Sequence, residues 1–379
     1  AAAARVLICG ADFNNDGVAD VILYGDAILV ALRGEKGGGF TDVSKEVLGD
    51  LAGTGDVSSI AEIDYDNDGD FDLVLTRAEP ESMTGNQTFF DPKTGTFAFV
   101  VLRKPFQFDD LKIEGDFIME NLQMAWPNFS VFVGAQKRTL GFKVDRWGSK
   151  DFELKPEEAE GWPEDRSATG LYIGYLGNGM WRIGGQTDQR TGAVVHHVKS
   201  TPSVSKEKSL PVLLLENRGG KFFDVTAKLG LSIADQTASV AVGDFDNDGW
   251  SDLFFVLAGN PAKQTKQIVL LNERGKSFAP AANAGVVSSE LGAVGGGAEA
   301  FDYNEDGNLD LIYANERGRW HLFTNGGQAA KGNNYVVVKV GSSPSRQATM
   351  QGAVLTLKAG GHIYRRVVGA TSAAYSMGE

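Results

Sequence analysis

The chain has 379 residues, with 36 Lys and Arg against 49 Asp and Glu and a formal net charge of −13. That acidic balance excludes a nucleic-acid partner, because a phosphate backbone needs a basic face. Its 48 glycines against 11 prolines, without a Gly-X-Y period, exclude collagen and point to short strands joined by tight turns. The single cysteine, Cys9, permits no intrachain disulfide; within Val6-Leu7-Ile8-Cys9 it reads as a small buried hydrophobe. No stretch approaches the ~20 apolar residues of a membrane span. No leader pattern is visible, which leaves the compartment open.

The predicted elements recur in a fixed order along the chain. Residues Asp12–Asp20 (DFNNDGVAD) are the first of four copies of the phrase D-x-[DN]-x-D-G-x-x-D. The others are Asp64–Asp72 (DYDNDGDFD), Asp244–Asp252 (DFDNDGWSD) and Asp302–Asp310 (DYNEDGNLD). Each has apolar runs on both sides, such as Ser239–Gly243 before the third and Leu253–Leu257 after it, and reads as a loop between two buried strands. After the first loop, Leu32–Ser44 (LRGEKGGGFTDVS) reads as strand, glycine-rich hairpin, strand. The phrase returns at Leu215–Thr226 and, shortened, at Leu271–Phe278; Gly275-Lys276-Ser277 is therefore a turn and not a P-loop, which needs glycine where Leu270 stands. Four strands with the acidic loop between the first and second make one propeller blade.

In such a loop, positions 1, 3 and 5 point oxygens inward and glycine at 6 permits a sharp turn. The main-chain carbonyl at 7 and the carboxylate at 9 complete an oxygen-only shell that suits calcium better than magnesium. The expected ligands are Asp12, Asn14, Asp16, Val18 and Asp20 in loop 1, and Asp64, Asp66, Asp68, Asp70 and Asp72 in loop 2. Loop 3 offers Asp244, Asp246, Asp248, Trp250 and Asp252, and loop 4 offers Asp302, Asn304, Asp306, Asn308 and Asp310. The expected complement is about four calcium ions, one per loop. An EF-hand is excluded, because its acid at position 12 is replaced by Leu23, Leu75, Phe255 and Tyr313. The loops are expected to act as independent cages, since blades contact mainly their neighbours.

Asp12 and Asp64 stand 52 residues apart, and Asp244 and Asp302 stand 58 apart, each the length of one blade; Asp64 and Asp244 stand 180 apart. Blade 2 therefore begins at Ser58–Ile63, runs through Leu73–Thr76 and resumes only at Pro211, with an insertion near 81–208. Strand signals inside the insertion fall at Thr96–Leu102, Phe129–Val133, Leu140–Val144 and Leu171–Leu176. The last turns through Gly177-Asn178-Gly179 into Met180–Ile183. Helical periodicity is scarce, so a β-rich, sandwich-like domain is predicted. Its aromatics Trp126, Trp147, Trp162, Tyr172, Tyr175 and Trp181 read chiefly as core, against the competing reading of an exposed sugar-stacking platform.

The loops and hairpin phrases resemble the calcium-binding FG-GAP/VCBS repeat propellers of integrin alpha chains and of the cartilage acidic protein family. The tail Gly352–Gly369 (GAVLTLKAGGHIYRRVVG) is similar to the ASPIC/UnbV segment that follows the propeller in that family. The resemblance covers roughly residues 5–80 and 209–379. It implies an all-β chain: blade 1 and half of blade 2 in 1–80, the inserted domain in 81–208, the remaining propeller in 209–330, and a C-terminal β segment in 331–379. The four blades either close a ring or belong to a larger one, since relatives often have seven.

Two function classes remain. The first is a calcium-stabilised, non-catalytic interaction or adhesion module located outside the cell, at the cell surface or in the periplasm. Free calcium there fills cages of ~10⁻⁴–10⁻³ M affinity. Its partner would be a protein or a carbohydrate, bound through 81–208, which holds four of the six tryptophans. The second is a polysaccharide lyase-like enzyme, since some lyases use calcium-loop propellers. Tyr172, Tyr175, Arg182, His196 and His197 would be its candidate base and neutraliser, and no spacing selects among them. His196 and His197 are adjacent on a predicted strand and so point to opposite faces. No H-E-x-x-H, G-x-S-x-G or paired C-x-x-C occurs; Asn86-Gln-Thr88 and Asn128-Phe-Ser130 fit the N-glycosylation pattern.

Overall fold

Among the described residues, regular structure is β-strand apart from one helical turn at Ser44–Val47 and two short 3-10 turns. The computed structural model describes residues 5–79, 86–101, 104–122, 130–141, 151–187, 191–201, 204–205, 208–282, 284–288, 290–292, 295–315, 319–327, 338, 354–359 and 362–367. No described helix is long and apolar enough to cross a membrane.

Four antiparallel meanders carry the acidic loops. Blade 1 comprises Val6–Ala11, Asp20–Gly25, Leu29–Gly34 and Phe40–Asp42, neighbours in that order. Blade 2 comprises Val57–Ile63, Asp72–Arg77, Leu213–Asn217 and Phe222–Asp224, and blade 3 Thr237–Gly243, Asp252–Leu257, Ile268–Asn272 and Phe278–Pro280. Blade 4 shows three strands, Ala298–Phe301, Asp310–Ala314 and Trp320–Phe323. Each acidic loop joins the first and second strands of its blade in one register: Ala11 pairs with Asp20, Ile63 with Asp72, Gly243 with Asp252 and Phe301 with Asp310.

Three apolar cores hold the blades face to face. Blades 1 and 2 meet through Ile22, Tyr24, Leu29, Ile60, Leu73 and Leu215. Blades 2 and 3 meet through Ile63, Val74, Leu214, Val240, Leu253 and Phe255, and blades 3 and 4 through Ala241, Phe254, Val256, Leu311 and Tyr313. A strand covered on both faces needs apolar residues on both, which is why Leu253–Val256 is an unbroken buried run. Among the described residues no such core joins blade 4 to blade 1. On these two blades Ile8 is 69% and Trp320 56% exposed. The strands flanking loop 1 are thus not both buried as expected: Val6–Ala11 alternates between exposed and half-buried residues. Cys9, on that edge, is half-buried, and burial pushes its thiol up to about 12.

Between Asp72–Arg77 and its partner Leu213–Asn217 lie the strands from Gln87–Asp91 to Val198–Ser200. They form a five-stranded and a six-stranded sheet around a shared core that includes Phe97, Phe99, Phe117, Leu171, Ile173 and Trp181. This is a sandwich. The strands at Thr96–Val101, Ser130–Val133, Gly170–Gly177 and Met180–Gln186 match the pattern read from sequence. Of the one expected at Leu140–Val144, Leu140 and Gly141 lie just beyond the pairing at Arg138–Thr139, and 142–144 fall outside the described residues. Trp126, Trp147 and Asn128 also lie outside them.

Candidate metal centres

All four loops share one backbone. Position 4 takes a left-handed conformation, at Asn15 (φ 56°), Asn67 (φ 56°), Asn247 (φ 56°) and Glu305 (φ 58°), and glycine at position 6 is left-handed as well. The first aspartate anchors the turn: the Gly17, Gly249 and Gly307 N–H groups donate to Asp12, Asp244 and Asp302 at 3.0, 2.9 and 2.9 Å. The N–H at position 7 donates to the carboxylate at position 5 in every loop, at 2.8 to 3.0 Å.

Asp20, Asp72, Asp252 and Asp310, at position 9, are buried and bind in one pattern. One oxygen accepts the position-2 N–H, from Phe13, Tyr65, Phe245 and Tyr303. The other accepts an N–H at the end of the third strand or just after it, from Gly34, Asn217, Asn272 and Asn325 at 2.7 to 2.8 Å. Position 9 therefore closes the loop onto its own sheet.

Loops 2 and 3 gather their carboxylates. Oxygens of Asp64, Asp66 and Asp72 lie within 4.8 Å of one another, as do those of Asp244, Asp246 and Asp248. Burial pushes Asp72 up to about 9, Asp252 to about 8 and Asp244 to about 6. Asp66 is raised by burial and then by the charge of Asp68. In loops 1 and 4 position 3 is an amide: Asn14 and Asn304 each donate to the position-5 aspartate, Asp16 or Asp306, at 3.0 Å. Asp306 is held below the usual carboxylate range by hydrogen bonds from the Asn308 main chain and side chain. Glu62, which the sequence pattern missed, faces loop 1 from blade 2; burial, then the charge of Asp12, pushes it up to about 7.

The donor set fits a hard divalent cation. It is oxygen only, with four carboxylates at positions 1, 3, 5 and 9 of loops 2 and 3 and three in loops 1 and 4. Val18, Asp70, Trp250 and Asn308 would serve through their carbonyls; the Asp70 side chain instead accepts from Asn15 Nδ2 at 2.6 Å.

Hydrogen bonds join each loop to the next. Asn67 Nδ2 donates to Gly249 O at 3.3 Å, and Asn247 Nδ2 to Gly307 O at 3.3 Å, so position 4 of one loop grips the next. A second set of amides at the end of the third strand works in the opposite direction. Asn217 Nδ2 bridges Phe13 O in loop 1 and Phe71 O in its own loop, at 2.9 and 3.2 Å. Asn272 Nδ2 bridges Tyr65 O and Ser251 O, and Asn325 Nδ2 bridges Phe245 O and Leu309 O. The hairpin glycine after each amide lets the turn lie against a loop: a Cβ on Gly275 would sit 3.0 Å from Asp66 Cα and 3.1 Å from the Trp250 ring. From the C-terminal hairpin, Val354–Ala359 with His362–Val367, Arg365 Nη1 reaches Asn15 Oδ1 at 3.1 Å and Gly69 O at 2.6 Å.

The residues considered for a lyase are engaged separately. Tyr172 is fully buried with its hydroxyl donating to Ala168 O at 2.8 Å, and the Tyr175 hydroxyl accepts from Gly179 N at 3.2 Å. Arg182 pairs with Asp109 and lies over the Trp162 ring, which Arg166 also approaches. Trp162 rests against Gly174 and Gly184, so this ring is not a free sugar platform. His196 and His197 are not on a strand but in the turn between Thr191–Val195 and Val198–Ser200, with His197 at φ 60° and the two rings 6.5 Å apart. His196 Nε2 meets Glu120 Oε1 at 2.8 Å.

The FG-GAP-like repeat family model matches residues 12–75 and 204–255, which span loops 1, 2 and 3. The chain carries FG-GAP-like repeats. Loop 4 lies outside the matched residues and repeats the same hydrogen bonds. No curated protein matches by sequence. A solved Agrocybe aegerita lectin, described as recognising non-reducing terminal N-acetylglucosamine, is similar at 17% identity over 87% of this chain and 69% of its own, with a TM-score of 0.25. A score that low carries no argument on fold or ligand.

Proposed function

We propose that the chain is a calcium-stabilised, non-catalytic interaction module that works at an extracellular, cell-surface or periplasmic location. The observation that supports this most is the crowding of Asp64, Asp66 and Asp72, and of Asp244, Asp246 and Asp248, into oxygen-only clusters. Calcium would neutralise each cluster and tie the first two strands of a blade together. The side chains at positions 1, 3, 5 and 9 and the carbonyl at 7 would hold it. Within this reading the blades are those of an FG-GAP/VCBS propeller of the cartilage acidic protein type, and the 354–367 hairpin lies in its ASPIC/UnbV-like segment.

Chelation tests the reading. A cation bound only by the folded state contributes about 2.7 kcal/mol per site when present at about a hundred times its Kd. A chelator should therefore lower Tm substantially, and magnesium should restore less than calcium does. A melting curve unchanged by the chelator contradicts the proposal. A polysaccharide panel should yield no rise in ultraviolet absorbance from unsaturated product; such a rise would favour the lyase reading.

The same reading places a protein or carbohydrate partner on the 81–208 segment, which stands where a blade needs only a short turn. Replacing it with a Gly-Ser linker should leave a folded, cation-binding array that no longer captures the partner. Capture at full affinity would put recognition on the blades instead.

A further inference from the structure

We infer that the four loops are a chain of coupled cation sites, in which filling one loop raises the affinity of its neighbour. This rests on the cation reading above and adds a route between the sites. The route is the two sets of amides that cross each blade junction. At the junction of loops 2 and 3, Asn67 Nδ2 grips Gly249 O at position 6 of loop 3, while Asn272 Nδ2 joins Tyr65 O of loop 2 to Ser251 O of loop 3. Gly249 and Ser251 flank Trp250, whose carbonyl is the position-7 ligand. A cation in loop 2 fixes the backbone at positions 2 and 4, and with it both amide contacts to loop 3. Loop 3 then has less disorder to lose when it binds, which is positive coupling.

Loops 1 and 4 carry the same logic. Blade 1 has Gly34 where the later blades have the bridging asparagine, although the Gly34 N–H still binds Asp20. Loop 4 has Glu305 where the earlier loops have the gripping asparagine. Amides are present at the three junctions between these loops and replaced at Gly34 and Glu305, which face no junction among the four. A role confined to folding each loop would call for them in all four.

Terbium, a luminescent stand-in for calcium, tests the coupling through Trp250, which lies within loop 3 and can sensitise an ion there; because the same ring borders Asp66 of loop 2, an Asp248→Ala protein, with loop 3 disabled, supplies the loop 2 signal to subtract. Asp68→Ala disables loop 2 without touching loop 3. The expected result is a loss of terbium affinity at loop 3 of about fivefold or more. The same Asp68→Ala change made in an Asn67→Gly, Asn272→Ala background should cost loop 3 little, because both amide contacts are then cut. Should that background fail to fold, Asn67→Gly alone, which keeps the left-handed backbone, should still shrink the loss. Unchanged affinity at loop 3 in Asp68→Ala overturns the inference. So does a loss that persists undiminished in that background, which would put the coupling outside the junction amides; charge alone predicts the opposite sign, because a cation in loop 2 repels one in loop 3. Absence of sensitised emission from the unaltered protein overturns the cation reading itself, a result distinct from either.

Discussion

Loops 2 and 3 lie in the middle of the array and carry aspartate at position 3; loops 1 and 4 lie at its ends and carry asparagine there. That exchange changes how many carboxylates converge, although burial raises Asp20 of loop 1 as it raises Asp72 and Asp252. In the middle loops three carboxylates converge, and burial raises Asp72, Asp252 and Asp244. In the end loops Asn14 and Asn304 satisfy Asp16 and Asp306 by hydrogen bonds, and Asp306 is lowered rather than raised. The middle loops are thus strained when empty and have the most to gain from a cation. The end loops are partly satisfied already. Position 9, by contrast, is common to all four and serves the sheet as well as the ion.

The largest effect should come from the feature that the loops share. Asp252→Ala removes the acceptor for the Phe245 and Asn272 N–H groups, which are buried. Each orphaned donor costs about 1–3 kcal/mol. Asp252→Ala should therefore lower Tm even in chelator, and Asp310→Ala should do the same at the end of the array. Asp248→Ala, which removes only the exposed bond from the Trp250 N–H, should lower Tm far more with calcium present than in chelator. Equal losses for Asp248→Ala with and without calcium would remove the division between structural and ligand positions.

A smaller effect should come from exchanging what separates the loops. Asp66→Asn combined with Asp246→Asn gives loops 2 and 3 the amide found in loops 1 and 4. Relief of like-charge crowding should raise Tm in chelator and shrink the further rise on adding calcium. Asn14→Asp should do the reverse in loop 1. A fall in Tm in chelator for the Asp66→Asn, Asp246→Asn protein would contradict the strain assigned to the middle loops.

Much of this was legible in the sequence because a cation loop is a local device. The D-x-[DN]-x-D-G-x-x-D spacing and the glycine hairpins depend on residues within ten positions of one another, and the structure places all four loops in identical register. The junction amides were not legible for the opposite reason. Asn217 binds Phe13 across 204 residues and Asn272 binds Tyr65 across 207, so nothing near either one names its partner. Only their recurrence, each before a hairpin glycine, could have marked them. The turn at His196 and His197 escaped because a single left-handed residue leaves no periodic trace. Trp162 was legible as an aromatic, but its covering arginines come from Arg166 nearby and Arg182 on a partner strand.

Calcium titration by calorimetry on the intact chain tests the central claim most directly. The account predicts two classes of site: a tighter pair belonging to loops 2 and 3, and a weaker pair belonging to loops 1 and 4. In the Asp66→Asn, Asp246→Asn protein the tighter class should disappear. Four equivalent sites, or no heat of binding at all, would contradict it.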